Sequence, residues 1–245
     1  MQEKRTHVRA FAMLGVVMLF WAGNSIIARA VRGDVPPFTL AFVRWSGALL
    51  AVTPFALGAV WRDRPAILGK WKIVLALGLL GVGAFNALLY LGLQYTTATN
   101  ALLLQAAIPA VVMLLDWLFF RTRAQPVQIL GVALSILGVI TIVFQGDPAA
   151  ALRLHFGEGD ALVLASVVVW SLYTVLLRLR PQTSLVSLIW VTFTIGVLTM
   201  APLAGWEAAV GERIHWHAGV LGSFLYVALL PSLASYFIYN WATAK

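Results

Sequence analysis

Long apolar runs separated by short polar breaks dominate this chain. Eight of them reach or approach the roughly 20 residues that a helix needs to cross a hydrocarbon core of about 30 Å. In order, they lie near Ala10 to Val31, Phe38 to Val60, Ile73 to Gln94, Thr97 to Phe120, Pro126 to Phe144, Ala161 to Leu179, Ser184 to Leu203 and His217 to Trp241, and are numbered helices 1 to 8. The breaks carry turn chemistry: Arg32-Gly33-Asp34-Val35-Pro36-Pro37, Arg62-Asp63-Arg64-Pro65, Gly146-Asp147-Pro148 and Arg180-Pro181. No run alternates apolar and polar residues with a period of two, which argues against a membrane β-barrel. The pattern predicts an all-α, polytopic transmembrane bundle.

The first run imitates a secretory signal, with Lys4, Arg5 and Arg9 before it and Ala28-Arg29-Ala30 at its end. It is longer than a signal core and carries Trp21 and Asn24, so it reads as a retained helix 1. Composition agrees with a membrane protein. Of the 245 residues, 61% are hydrophobic and 11% charged, against about half and about a quarter in soluble domains, and the mean hydropathy is +0.90. With Cys count 0, disulfides, thiol nucleophiles and thiolate metal sites are excluded.

A net charge of +8 would suggest nucleic acid, but the basic residues sit at the ends of apolar runs, where they set orientation. With the amino terminus cytoplasmic, Lys4, Arg5, Arg9, Arg62, Arg64, Lys70, Lys72, Arg121, Arg123, Arg178, Arg180 and Lys245 fall on the inner side, 12 of the 17 basic residues. Arg32, Arg153 and Arg213 fall outside, with Asp34, Asp147, Glu158, Asp160, Glu207 and Glu212. The predicted location is the cell inner membrane.

Two stretches echo each other. Trp21, Ser25 and Arg29 fall on Trp170, Thr174 and Arg178 at one offset, and Tyr90, Thr97 and Ala98 fall on Tyr236, Thr243 and Ala244 at a slightly shorter one. An odd number of helices separates the copies, so they run in opposite directions. Inverted repeats place a binding site near the bilayer midplane and expose it alternately to each side. The pattern therefore predicts a secondary transporter.

The residues also resemble the EamA-type family of the drug/metabolite transporter superfamily over nearly the whole chain. The resemblance rests on Phe20-Trp21-Ala22-Gly23-Asn24, Pro37-Phe38-Thr39-Leu40-Ala41-Phe42-Val43-Arg44, Tyr95-Thr96-Thr97-Ala98-Thr99-Asn100-Ala101 leading to Pro109, Gly131 to Gly138, Gly159-Asp160-Ala161 and Trp170-Ser171-Leu172-Tyr173. It implies ten helices in two five-helix repeats and export of small metabolites, amino acids or related compounds first among them. Residues 1–146 then form the first repeat, and residues 147–245 a second one that ends after its third helix. The expected architecture is eight helices of ten, a truncated form ahead of a naturally reduced one. Where relatives often end helix 4 with Gly-Glu, this chain has Phe120-Arg121-Thr122-Arg123, so no role for that glutamate carries over.

Polar groups inside lipid are costly and usually face a cavity or a partner. Trp21, Asn24 and Ser25 share a face of helix 1, and Trp170, Tyr173 and Thr174 form the corresponding group on helix 6, two candidate walls of a substrate cavity. Helix-helix packing is the competing reading. Arg44, about 10 Å into helix 2, is a candidate bidentate partner for a substrate carboxylate or phosphate; its alternative is a structural anchor. Arg44→Ala is expected to abolish transport and leave folding intact. Asn86 and Tyr90 on helix 3 match Ser232 and Tyr236 on helix 8, and Gln105 lies one turn before Pro109; all but Ser232 join the candidate substrate-binding set.

Asp116 is the candidate for proton coupling, although Arg121 and Arg123 are expected to neutralise it. His215-Trp216-His217 with Glu212 lacks a closing metal-ligand set, and no metal or cofactor is called for. Gly131, Ser135 and Gly138 on helix 5 read as intramolecular packing ahead of a dimer contact, which leaves a homodimer open. A membrane enzyme is the main alternative, with a receptor or scaffold behind it. Against an enzyme, His7, His155, His215 and His217 all fall outside the predicted helices, and paired buried carboxylates are absent. The partners this reading requires are a small-molecule substrate and the lipid bilayer.

Overall fold

The computed structural model describes residues 2–143 and 157–242, excepting the side chains of 2–11, 139, 140, 142 and 143. The predicted break at Gly146-Asp147-Pro148, the repeat boundary beside it, His155, and Thr243 and Ala244 lie outside the described residues. Among the described residues eight helices follow one another: α1 Gln2–Ala30, α2 Pro37–Gly69, α3 Trp71–Tyr95, α4 Ala98–Phe120, α5 Pro126–Val143, α6 Glu158–Leu179, α7 Leu185–Ala209 and α8 Ala218–Ala242. There is no strand among the described residues. Seven helices are long and apolar enough to cross a membrane, and α5 has a shorter apolar stretch, Pro126–Gly138. The protein is a multi-pass membrane bundle.

Two local expectations fail. Because α1 begins at Gln2, His7 lies within a helix. The turn expected at Arg62-Asp63-Arg64-Pro65 does not form; α2 runs through Pro54 and Pro65 and stops at Lys70, where φ is −123°. A proline removes one intrahelical bond, and here the polar residues around it are engaged with the helix intact. The Arg64 guanidinium lies 4.3 Å from the centre of the Trp61 ring. Asp63 reaches α7, where its carboxylate accepts from Ser184 N at 2.8 Å and Ser187 Oγ at 2.7 Å.

The mirror contact forms at the other end of the same helix pair. Glu207, near the end of α7 and 3% exposed, accepts from Phe38 N at 2.9 Å and from Thr39 N and Oγ1 at 2.7 Å each. Each carboxylate satisfies donors that the start of a helix leaves free and suits its positive end. These contacts fix α2 and α7 as antiparallel neighbours, with Trp45 packed on Phe193 at 4.8 Å between them.

α3 packs against α6 so closely that a Cβ on Gly159 would lie 2.7 Å from Thr96 N and 2.8 Å from Gly92 O. Only glycine allows that approach. Beside it, Thr96 Oγ1 donates to Asp160 Oδ1 at 2.6 Å, while Asp160 Oδ2 accepts from Gly157 N and closes the start of α6. α1 borders α3 and α8, and α4 lies on α6.

α5 sits at the margin. A Cβ on Gly131 or Gly138 would meet nothing within 4 Å, so this stripe does not pack within the described chain as expected. Its apolar neighbours Val127, Leu130 and Leu134 are exposed, as suits a lipid-facing surface.

Three helices depart from regular winding near the bundle centre. α3 widens into a π-helical stretch at Gly78–Ala84, and α8 does the same at Leu229–Ala234, which contains Pro231. α4 is interrupted at Ala106 and Ala107, just before Pro109, whose missing N–H cannot serve the Gln105 carbonyl. Such irregularities are tolerated at membrane depth only where protein or a cavity takes up the freed backbone groups.

Candidate functional site

Arg44 enters the bundle two turns into α2 and is 2% exposed. Its Nε donates to Ser232 Oγ. One terminal nitrogen donates to Asn86 Oδ1 at 2.7 Å, Tyr90 OH at 2.8 Å and Asn24 Oδ1 at 3.2 Å. The other reaches Pro231 O at 3.3 Å, and the guanidinium lies 4.5 Å from the centre of the Trp45 ring. Three helices besides its own thus converge on one cation. The echoed residues Asn86 and Ser232 both bond to it, through different nitrogens.

The π-helical stretches supply part of this scaffold. Ser232 Oγ donates to Val227 O, five residues back, and Asn86 donates to Val82 O at 2.9 Å. Tyr236 OH donates across the bundle to Gly81 O. Pro231 O accepts from Trp21 Nε1 at 3.1 Å as well as from Arg44. Tyr90 OH donates to Asn24 Oδ1 at 2.7 Å, which locks helix 1 into the network.

Beside Arg44 lies a small cavity of about 30 Å³, lined by Trp21, Asn24, Ser25, Phe85, Leu89, Gln105, Ile108, Trp170 and Tyr236. Trp21 meets Trp170 edge to face at 5.1 Å, and Phe85 lies 4.7 Å from Trp170. Among the described residues the buried Ser25 hydroxyl has no partner. Gln105 donates to Ala101 O at 3.2 Å. That volume is about one water's share of liquid, so an organic solute enters only when the helices part.

Larger cavities lie toward each end. One of about 700 Å³ is lined by Asp34, Phe38, Glu207 and Arg213. Another of about 250 Å³, at the opposite end, is lined by Arg180, Thr183, Leu188 and Asn240. Each borders a carboxylate-capped helix start.

A model of the EamA-like transporter family matches residues 9–144. The chain belongs to the EamA-like transporter family. An uncharacterized transporter of Archaeoglobus fulgidus is 28% identical over 98% of this chain and 80% of its own length. The Bacillus subtilis uncharacterized transporter YyaM is 26% identical over 96% of this chain and 77% of its own. A solved structure, titled only as the crystal structure of a protein, superposes with a TM-score of 0.69 at 18% identity, covering 96% of this chain and 79% of that one. It shares the fold. The family and these relatives are named as transporters, not as catalysts.

In this EamA-like bundle the expected residues separate by location. Trp21, Asn24, Ser25, Arg44, Gln105, Trp170 and Tyr236 border one cavity. Asn86 and Tyr90 stand behind it, on the guanidinium. Tyr173 is buried against Trp170 at 4.9 Å, and Thr174 Oγ1 lies 3.1 Å from Tyr239 OH. Asp116 is elsewhere, near the end of α4. It pairs with Arg178 at 2.5 Å, with side chains 23% and 50% exposed; the neutralising partner is Arg178, where Arg121 and Arg123 were expected.

The burial of Arg44 also changes its expected mutant. With five partners, removal of the guanidinium strips donors from Asn86 and Pro231 and opens a void, so folding is not expected to stay intact. Reasoning from sequence missed Tyr239, Phe85 and Glu207. Tyr239 lies one turn from Tyr236 and shared its signal; Glu207 gave none, because a polar residue near a predicted helix end reads as loop.

Proposed function

We propose that this EamA-like protein exports small metabolites, amino acids or related compounds bearing a carboxylate, across the cell inner membrane by alternating access. The carrying observation is the buried guanidinium of Arg44 beside a small cavity with aromatic walls. An arginine in a dry site is suited to bidentate recognition of a carboxylate, and aromatic walls suit the remainder of a small solute.

Alternating access by two inverted repeats is supported by the way related features recur. π-Helical stretches interrupt both α3 and α8, and carboxylates cap α2 and α7 at opposite ends of the pair. A carrier needs such paired ends, because each side must open while the other stays closed. The cytoplasmic placement of the amino terminus is supported by Arg64, Lys72 and Arg121 lying over Trp61, Trp71 and Trp117 at one membrane face, as the positive-inside bias and interfacial tryptophans would have it.

The test is efflux from proteoliposomes loaded with labelled amino acids and carboxylic acids. Release above that of protein-free vesicles, lost in Trp21→Ala, is the expected result. Absence of release across the whole panel overturns the transport reading.

A further inference from the structure

We propose that the central site selects a monoanion with a flat apolar body and no ammonium group: an aromatic or similarly planar monocarboxylate. This rests on the transport reading and narrows its substrate class, within the carboxylate-bearing compounds proposed above, to those that lack the amine.

The inference starts from charge. Arg44 is 2% exposed, and each of its hydrogen-bond partners is neutral: two amide oxygens, two hydroxyls and a backbone carbonyl. Among the described residues no carboxylate pairs with it. The acid–base contacts there are Arg178 with Asp116, and His215 and His217 with Asp34. A charge held at membrane depth without a counter-charge is costly, and intramembrane ionisable groups usually pair with one another or serve a pathway. An anionic ligand supplies the missing partner.

Donor accounting leads to the same place. A guanidinium carries five N–H donors. Nε is taken by Ser232, the two donors on one terminal nitrogen are shared among three acceptors, and the other terminal nitrogen makes a single contact of 3.3 Å. One N–H is therefore unspent. The Ser25 hydroxyl, buried to 1% exposure and without a partner among the described residues, lines the same cavity as Arg44. An incoming carboxylate can accept from both groups.

An ammonium has no equivalent reception. No Asp or Glu lines the cavity. Asn24 Oδ1 already accepts from Arg44 and Tyr90, so an amine would stand near an uncompensated cation with only the neutral oxygens of Gln105 and Ser25 to accept from it. Of the remaining walls, Trp21, Phe85, Trp170 and Tyr236 present rings, beside aliphatic Leu89 and Ile108 and the amide of Gln105; the rings suit a planar body.

Four probes isolate the argument: 3-phenylpropanoate, phenylalanine, phenethylamine and 3-phenylpropanamide. They share one ring and chain length and differ in carboxylate and ammonium. Binding to the full chain in lipid nanodiscs, read by tryptophan fluorescence, should be strongest for 3-phenylpropanoate, at least about tenfold weaker for phenylalanine, and absent for the other two. Ser25→Ala should weaken 3-phenylpropanoate several-fold at unchanged melting temperature. Arg44→Gln, where it folds, should bind the acid no better than the amide.

Phenylalanine binding as tightly as 3-phenylpropanoate overturns the inference and leaves the transport reading standing. So does binding of none of the four probes while other solutes leave proteoliposomes. Unaltered binding in Ser25→Ala removes the second donor and with it the proposed geometry.

Discussion

The Glu207 carboxylate accepts from both the backbone amide and the hydroxyl of Thr39, at 2.7 Å each. A side chain near the end of α7 thereby closes the start of α2. Asp63 near the end of α2 does the same for α7 through Ser184 and Ser187.

Glu207→Ala is expected to destabilise the protein by roughly 1.5–3 kcal/mol, the worth of a hydrogen bond to a charged group. Thermal unfolding in detergent measures it. The natural absence of cysteine allows a cleaner second measurement. A cysteine placed at buried Val35 should react faster with a membrane-impermeant thiol reagent when Glu207 is replaced, because the capped end beside it is loosened.

Arg44→Ala should lower stability by about 2–5 kcal/mol, as removal of a large buried side chain does, and abolish transport. Melting temperature and proteoliposome efflux, taken on the same preparation, separate the two effects.

Asp116→Asn should change stability by less than about 1 kcal/mol, since Asp116 forms a partly exposed ion pair. Transport should keep its rate and its dependence on pH. A pH profile shifted by this substitution would return Asp116 to a coupling role.

Gly159→Ala is expected to destabilise by about 1–3 kcal/mol, because a new methyl would press on backbone that cannot step aside. Gly131→Ala is expected to be neutral, since its Cβ would meet open space. Comparing the two melting temperatures tests whether α3 and α6 are held at the described distance.

The helices were legible because membrane thickness imposes a length on them, and apolar runs display that length directly. Helix ends were harder to read. Arg62-Asp63-Arg64-Pro65 looks like a turn until Asp63 is seen to reach α7, a partner that no local pattern announces. Asn86 with Tyr90 and Ser232 with Tyr236 were visible as echoed pairs, but the convergence of Asn86, Tyr90 and Ser232 on Arg44 depends on how α2, α3 and α8 pack. The same holds for Ser25, whose unpartnered hydroxyl becomes meaningful only beside that guanidinium. Tyr239 was overlooked although its spacing from Tyr236 put it on the same face.

The uncompensated charge of Arg44 also bears on energetics. A substrate that brings the missing negative charge leaves the cytoplasm down an inside-negative membrane potential, gaining about 2.3 kcal/mol per 100 mV for each charge moved. On the proposed reading the membrane potential itself can drive export of such a solute. A potassium diffusion potential imposed across proteoliposomes, negative inside, should therefore accelerate efflux, and reversing its sign should slow it.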